Sequence, residues 1–256
     1  MKNMIAAVVA GGAVLVAAAP AHAAPKDPVR ALQAQLVTGH GVRFSETTTL
    51  ADDRGKDPFQ RRTGTFQFNK KGIAASDITA KMLNETSEFE DSRTPERTIS
   101  VGRTGWSSGG MWKDQLPEGK TWYKIGGMLA GGSGFYGQVI NPAEPKTLAG
   151  LIKKGKHVRN TYTGKITFKE LDKLSPWFGA SIPIRWHNET KVSYTLTVNG
   201  AGLVTRVTSS YAATGVFDTD ALEGKTFTID SRFTGWGRKV SIKAPDPDKV
   251  ATKLNE

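Results

Sequence analysis

Period-two alternation of apolar and polar residues is the feature that most constrains this chain. From Lys191 to Val198 the even positions are Val192, Tyr194, Leu196 and Val198, and the odd ones are Lys191, Ser193, Thr195 and Thr197. Asn199-Gly200-Ala201-Gly202 follows with the chemistry of a hairpin turn, and Leu203–Tyr211 returns as the partner strand. The same rhythm sets Tyr162, Gly164, Ile166 and Phe168 against Thr161, Thr163, Lys165 and Thr167. Phe227, Ile229 and Phe233 alternate with Thr226, Thr228, Asp230 and Arg232, and Val240, Ile242 and Ala244 carry the pattern to Pro245. Neighbouring side chains on a strand point to opposite faces, so alternation predicts one apolar and one wetted face, the mark of an antiparallel sheet.

The first half reads the same way with more punctuation. Strands are expected over Val42–Leu50, through Gly64, Phe66 and Phe68, and around Ile73–Thr79, Arg97–Val101 and Thr121–Ile125. Two helices interrupt them. Asp27-Pro28 opens one with Val29, Leu32, Leu36 and Val37 at helical spacing and Gly39 as its stop. The other follows Asn141-Pro142-Ala143-Glu144-Pro145, with Leu148, Leu151 and Ile152 as its apolar stripe and Lys153, Lys154 and Lys156 at its C-terminal end. Many strands with few helices predict an α+β fold, its helices laid on one face of a large antiparallel sheet.

Ahead of this domain stands an address. Lys2 is followed by an almost unbroken apolar run from Met4 to Ala19, then Pro20 and the small-residue series Ala21-His22-Ala23. That is a secretory signal with an A-x-A cleavage site between Ala23 and Ala24. The competing reading, an uncleaved anchor, needs ~20 apolar residues, and this run is shorter and Ala/Gly-rich. No twin-Arg pair precedes it, which favours the general secretion route. The expected organisation is a signal over 1–23 and a single domain over 24–256, secreted or held in the cell envelope with no stable membrane anchor after cleavage. The Ala-rich signal points to a bacterial source.

Composition closes several doors. With 38% hydrophobic and 23% charged residues, the chain is too apolar to be disordered and too polar to span a membrane repeatedly. It has no Cys, which rules out disulfides, thiol nucleophiles, Cys-ligated metals and an acylated lipoprotein Cys. No metal site and no cofactor are expected from its 4 His. The net charge of +11 is dispersed over short clusters such as Lys70-Lys71, Lys153–Arg159 and Arg238-Lys239. A secreted basic protein without a nucleic-acid motif suits anionic envelope polymers or lipid headgroups better than nucleic acid, and plain solubility accounts for the charge equally well.

Four features, taken in order, resemble the LolA-like superfamily, and especially the actinobacterial LppX/LprG-like secreted lipoproteins. They are the leading helix Asp27–Leu32 running to Thr47-Thr48-Thr49, and the mid-chain helix Pro145–Leu151 followed by Tyr162-Thr163-Gly164. The hairpin Lys191–Tyr211 and the ending Phe233-Thr234-Gly235-Trp236-Gly237 with Val240–Pro245 complete the set. The likeness spans about residues 27–250. It implies an incomplete β-barrel, an antiparallel sheet curled around helices, with an apolar cavity for acyl chains and no catalytic motif. The chain departs from the lipoprotein branch in lacking the lipobox Cys.

An acyl chain binds by burial, about 0.8 kcal/mol per CH₂. The segment richest in spare apolar surface carries Trp106, Met111, Trp112, Trp122, Tyr123, Met128, Leu129, Phe135 and Tyr136 among Gly109, Gly110, Gly126, Gly127, Gly131, Gly132 and Gly134. Gly-rich, aromatic, Met-containing stretches make adaptable walls, and this one is expected to form the cavity mouth, with a nearby Lys or Arg meeting an anionic headgroup. Ordinary core aromatics between loops are the plainer reading of the same residues. A second apolar stretch, Pro176–His187, is expected to plug one end of the half-barrel rather than act as a lid.

Other candidates fall away. His187 and Ser181 lack a G-x-S-x-G elbow, and on a strand His187 and Asn188 would face opposite ways. The acidic stretch Glu85–Asp91 does not match an EF-hand and reads as a solvated strand edge. The sequons at Asn84 and Asn188 matter only in a glycosylating host, and Asp246-Pro247-Asp248 reads as a polar tail.

The reading that emerges is a secreted, non-enzymatic binding protein for a lipid or other apolar ligand. A sensor module that binds an envelope protein is the alternative, and an envelope hydrolase comes third. Protein recovered from the culture medium of its host should begin at Ala24 by N-terminal sequencing; a chain that still carries Met4–Ala19 would contradict the signal assignment.

Overall fold

The alternating runs become strands of one sheet in the computed structural model, which describes residues 27–83, 94–126, 128–183 and 185–255. Residues 1–26 with Ala23 and Ala24, the acidic stretch Glu85–Asp91 with the Asn84 sequon, Gly127 and Ile184 lie outside the described residues.

Helix α1 (Pro28–Gln33) comes first, capped by the Asp27 carboxylate, which accepts from Val29 N at 2.9 Å. Strands β1 (His40–Ala51), β2 (Lys56–Asn69), β3 (Gly72–Met82), β4 (Glu96–Val101), β5 (Thr104–Gly109) and β6 (Trp122–Gly126) then follow as an antiparallel meander. An irregular crossing leads to α2 (Pro145–Lys154), β7 (Lys156–Val158) and β8 (Thr161–Thr167). Next come α3 (Phe168–Leu174), α4 (Pro176–Ser181) and the hairpin of β9 (Lys191–Val198) and β10 (Val204–Ala212). Strand β11 (Thr226–Lys239) and the short β12 (Val250–Ala251) end the described chain.

The sheet order is β12-β6-β5-β4-β3-β2-β1-β11-β10-β9-β8-β7. Strand β11 returns to pair with β1 along its length, welding the two halves into one sheet. Every pairing is antiparallel except β12 with β6, and among the described residues the end strands β12 and β7 do not pair with each other. The fold is thus α+β, an open sheet with helices against its apolar face. Leu148, Leu151, Phe168, Leu171, Trp177 and Phe178 from the helices share one core with Tyr194, Leu196, Val207, Phe227 and Ile229 from the strands. Glu144 ties these helices together, its carboxylate accepting from Ser175 Oγ at 2.5 Å, Trp177 N at 2.8 Å and Thr147 Oγ1 at 3.0 Å.

The inner face is not apolar throughout. Glu46 on β1 pairs with Arg62 on β2 at 2.8 Å, each side chain 2% exposed. Ser231 on β11 donates to Glu46 Oε2 at 2.9 Å, and the backbone N–H of Gln138 donates to Oε1 at 3.0 Å. Gln138 in turn gives its amide N–H to Ser231 Oγ at 3.2 Å and accepts from Ser209 Oγ at 2.7 Å. Four neighbouring strands therefore hold the crossing segment through a buried polar cluster whose members satisfy one another.

Several expectations are corrected by the structure. Helix α1 stops at Gln33, leaving Val37 47% exposed, and Gly39 serves the turn into β1 with φ 75°. Phe168 leaves the strand pattern because Thr167 and Glu170 form a capping box that starts α3. Val240–Ala244 lies beyond β11 in irregular backbone, held by Val240 N to Gly39 O at 2.8 Å and Ile242 N to Gln67 Oε1 at 2.6 Å. Asp246-Pro247-Asp248 is not a tail: it leads into β12, where Ala251 is 4% exposed beside Tyr123 in register.

Removing one partner of a buried ion pair strands the other, which costs about 3–5 kcal/mol. Arg62→Met should lower the urea-unfolding free energy by about that much; a loss under about 1 kcal/mol would show that the pair is not the anchor described.

Candidate functional site

The crossing segment lies against the inner face because the backbone can approach it closely at glycines. A Cβ on Gly131 (φ 68°) would overlap Glu96 Oε1 and Thr98 Oγ1, and one on Gly137 would overlap the Arg62 guanidinium. Three bonds fix the segment from beneath. Thr48 Oγ1 donates to Tyr136 O at 2.7 Å, Arg62 Nη1 to Ser133 O at 3.5 Å, and Gly132 N to Glu96 Oε1 at 2.9 Å.

Between this strap and the sheet is a cavity of about 370 Å³, within the size range of small-molecule sites. Its floor is Gln60 on β2, Ala80 and Met82 on β3, Thr94 just before β4 and Glu96 at its start. Its roof is the 3-10 turn Gly110–Gln115, through Gly110, Met111 and Trp112, with Met128 and the turn Gly132–Tyr136. Register explains the floor. Gln60 faces Met82 across β2–β3, and Ala80 faces Glu96 across β3–β4, so side chains distant in sequence share one surface. Aromatic packing stiffens the roof: Trp112 stacks on Tyr123 at 4.9 Å, and Tyr136 meets Phe59 edge-on at 5.0 Å and Phe217 at 5.6 Å.

Of the expected mouth residues, Met111, Trp112, Met128, Phe135 and Tyr136 line this space, with Met111 half-exposed at its rim. Trp106, Trp122 and Leu129 do not. Trp106 alternates on β5 with the inward Gly105 and Ser107, so it points to the outer face, where Ile99 is its cross-strand partner. Trp122 faces the same way beneath the Arg97 guanidinium, 5.7 Å from its ring centre. Leu129 sits half-buried in the turn before Ala130. Among the described residues the lining holds no Lys or Arg, and its charged side chain is Glu96.

Glu96 is held by Thr98 Oγ1 at 3.1 Å as well as by Gly132 N. Burial outweighs these bonds and pushes its carboxyl above the usual carboxylate range. Two other lining residues keep polar atoms without partners. The Gln60 amide spends its N–H on Met82 Sδ at 3.4 Å, leaving Oε1 free of a donor, and Trp112 Nε1 has no acceptor. A buried polar atom left unmatched costs about 1–3 kcal/mol.

The stretch Pro176–His187 lies between β8 and β9, as an apolar connection between strands. Its first part is α4, which buries Trp177 and Phe178 and sets Trp177 edge-on to Phe66 at 4.9 Å. His187 lies beyond it in a turn, 3.3 Å from Asp218 on the surface, while the hydroxyl of Ser181 is buried without a hydrogen-bond partner. Among the described residues, no group of three or more His, Asp or Glu could hold a metal ion, and no helix is long and apolar enough to cross a membrane.

These features define an open antiparallel-sheet α+β protein with an apolar cavity under a glycine-rich strap. No family model and no curated protein matches the chain. Solved structures that align with it include a LolA superfamily protein from Nitrosomonas europaea, with 8% identity and a TM-score of 0.33 over 85% of this chain and 93% of that one. Another is the Mycobacterium tuberculosis lipoprotein LppX, with 13% identity and a TM-score of 0.39 over 84% and 96% of the two chains.

The raised Glu96 carboxyl has a signed consequence for stability. The folded state holds this proton more tightly than the unfolded chain, so its contribution is complete below the ordinary carboxylate pKa and is lost as pH rises through the folded value. The melting temperature of Glu96→Gln relative to the natural protein should therefore climb from about pH 4 to about pH 8; a flat or falling difference would contradict a desolvated carboxyl.

Proposed function

We propose that the chain is a secreted, non-enzymatic binding protein of the cell envelope that shelters the apolar part of a lipid or similar ligand in the cavity beneath the strap. The observation that carries this reading is the space itself: Met82, Met111, Met128, Trp112, Phe135 and Tyr136 surround it, and the protein's own core does not fill it. Burying an apolar chain there gains about 25 cal/mol per Å² removed from water. The thioether side chains can repack around guests of different shape, which suits a carrier more than an exacting enzyme pocket. The leader delivers the protein across the membrane.

The neutral fluorophore N-phenyl-1-naphthylamine should bind saturably with a blue-shifted emission. Ala80→Leu, which grows a side chain from the floor into the cavity, should weaken it about tenfold, a loss of about 1.4 kcal/mol. Absence of saturable binding, or full affinity in a folded Ala80→Leu variant, would contradict the reading.

A further inference from the structure

Resting on the cavity reading above, we propose that the pocket selects amphiphiles whose polar end is a neutral hydrogen-bond donor, a hydroxyl in the simplest case, and that Glu96 is the residue that selects them. The polar groups in the lining set this preference. Glu96 offers carboxylate oxygens, and Gln60, 1% exposed, has an amide oxygen with no donor. Trp112, 8% exposed, supplies the opposite function, an indole N–H with no acceptor.

A hydroxyl both donates and accepts, so it can serve the carboxylate or the amide oxygen and the indole N–H in turn. An ionised fatty-acid head only accepts. It satisfies Trp112 alone and sets a second negative charge beside Glu96 in a medium that screens poorly. No cation in the described lining offsets that repulsion. Arg62, behind the strap, already donates to Glu46 Oε1 and Ser133 O. The basic excess of the whole chain therefore does not decide what the cavity accepts; one carboxylate does.

Dodecanol and dodecanoate share a tail and differ in the head, so displacement of N-phenyl-1-naphthylamine by each at about pH 8 isolates the headgroup, the acid being ionised there. An ionised head is harder to bury in any apolar pocket, so the ratio of affinities is compared between variants. The natural protein should favour dodecanol by at least about tenfold, and Glu96→Gln should shrink that ratio to within about threefold. Trp112→Phe, which keeps the ring but loses the N–H, should weaken dodecanol severalfold. Equal binding of the two ligands, tighter dodecanoate, or a ratio unchanged in Glu96→Gln overturns the selection by Glu96 while leaving the apolar-cavity reading intact. Failure of the natural protein to bind the fluorophore or either ligand overturns that reading itself, and this inference with it.

Discussion

The buried pair of Glu46 and Arg62 is the constraint on which the rest depends. Two charges at 2.8 Å and 2% exposure are tolerable only when their remaining bonding capacity is satisfied. Ser231, the backbone of Gln138 and the carbonyl of Ser133 supply those bonds, and two of the three come from the crossing strap. The strap is therefore drawn onto the sheet at a fixed place. Its polar backbone finds partners there that it would otherwise take from water.

Pinning at one side creates space at the other. From Ser133 to Gln138 the strap is held down on β1, β2 and β11, whereas the stretch before it rides over Glu96 and meets the turn Gly110–Gln115. The side chains that line the gap are long and apolar on the roof and small or flexible on the floor, Ala80 and Met82 among them. A floor built from bulky β-branched residues would have closed it. The cavity thus follows from an anchored strap and a sparsely furnished stretch of sheet, and its polar character follows from the one carboxylate that the strap's glycines must accommodate.

Much of this was legible in the residues. Period-two alternation located most of the strands, the Leu148–Leu151 stripe located α2, and the Gly-rich aromatic segment contained the residues that line the roof. The floor was not legible, because Gln60, Ala80, Met82 and Glu96 become neighbours only through strand register, which no local pattern states. Glu46 and Arg62 hid for a related reason: charged residues at inward positions look like breaks in alternation until their partners are known. Trp106 and Trp122 show the converse limit, since aromatic content drew them into the site and strand parity put them on the outer face. The capping box Thr167–Glu170 was written plainly, but the alternation running into Phe168 masked it.

The central claim is that the pinned strap leaves room for a guest. Native mass spectrometry of the protein purified under mild conditions from its own host tests it most directly. The account predicts a bound species of lipid-like mass that is released on denaturation and is displaced when the cavity floor is filled by a larger side chain. A bare polypeptide mass under every mild condition, from protein that also fails to take up added amphiphile, would contradict it.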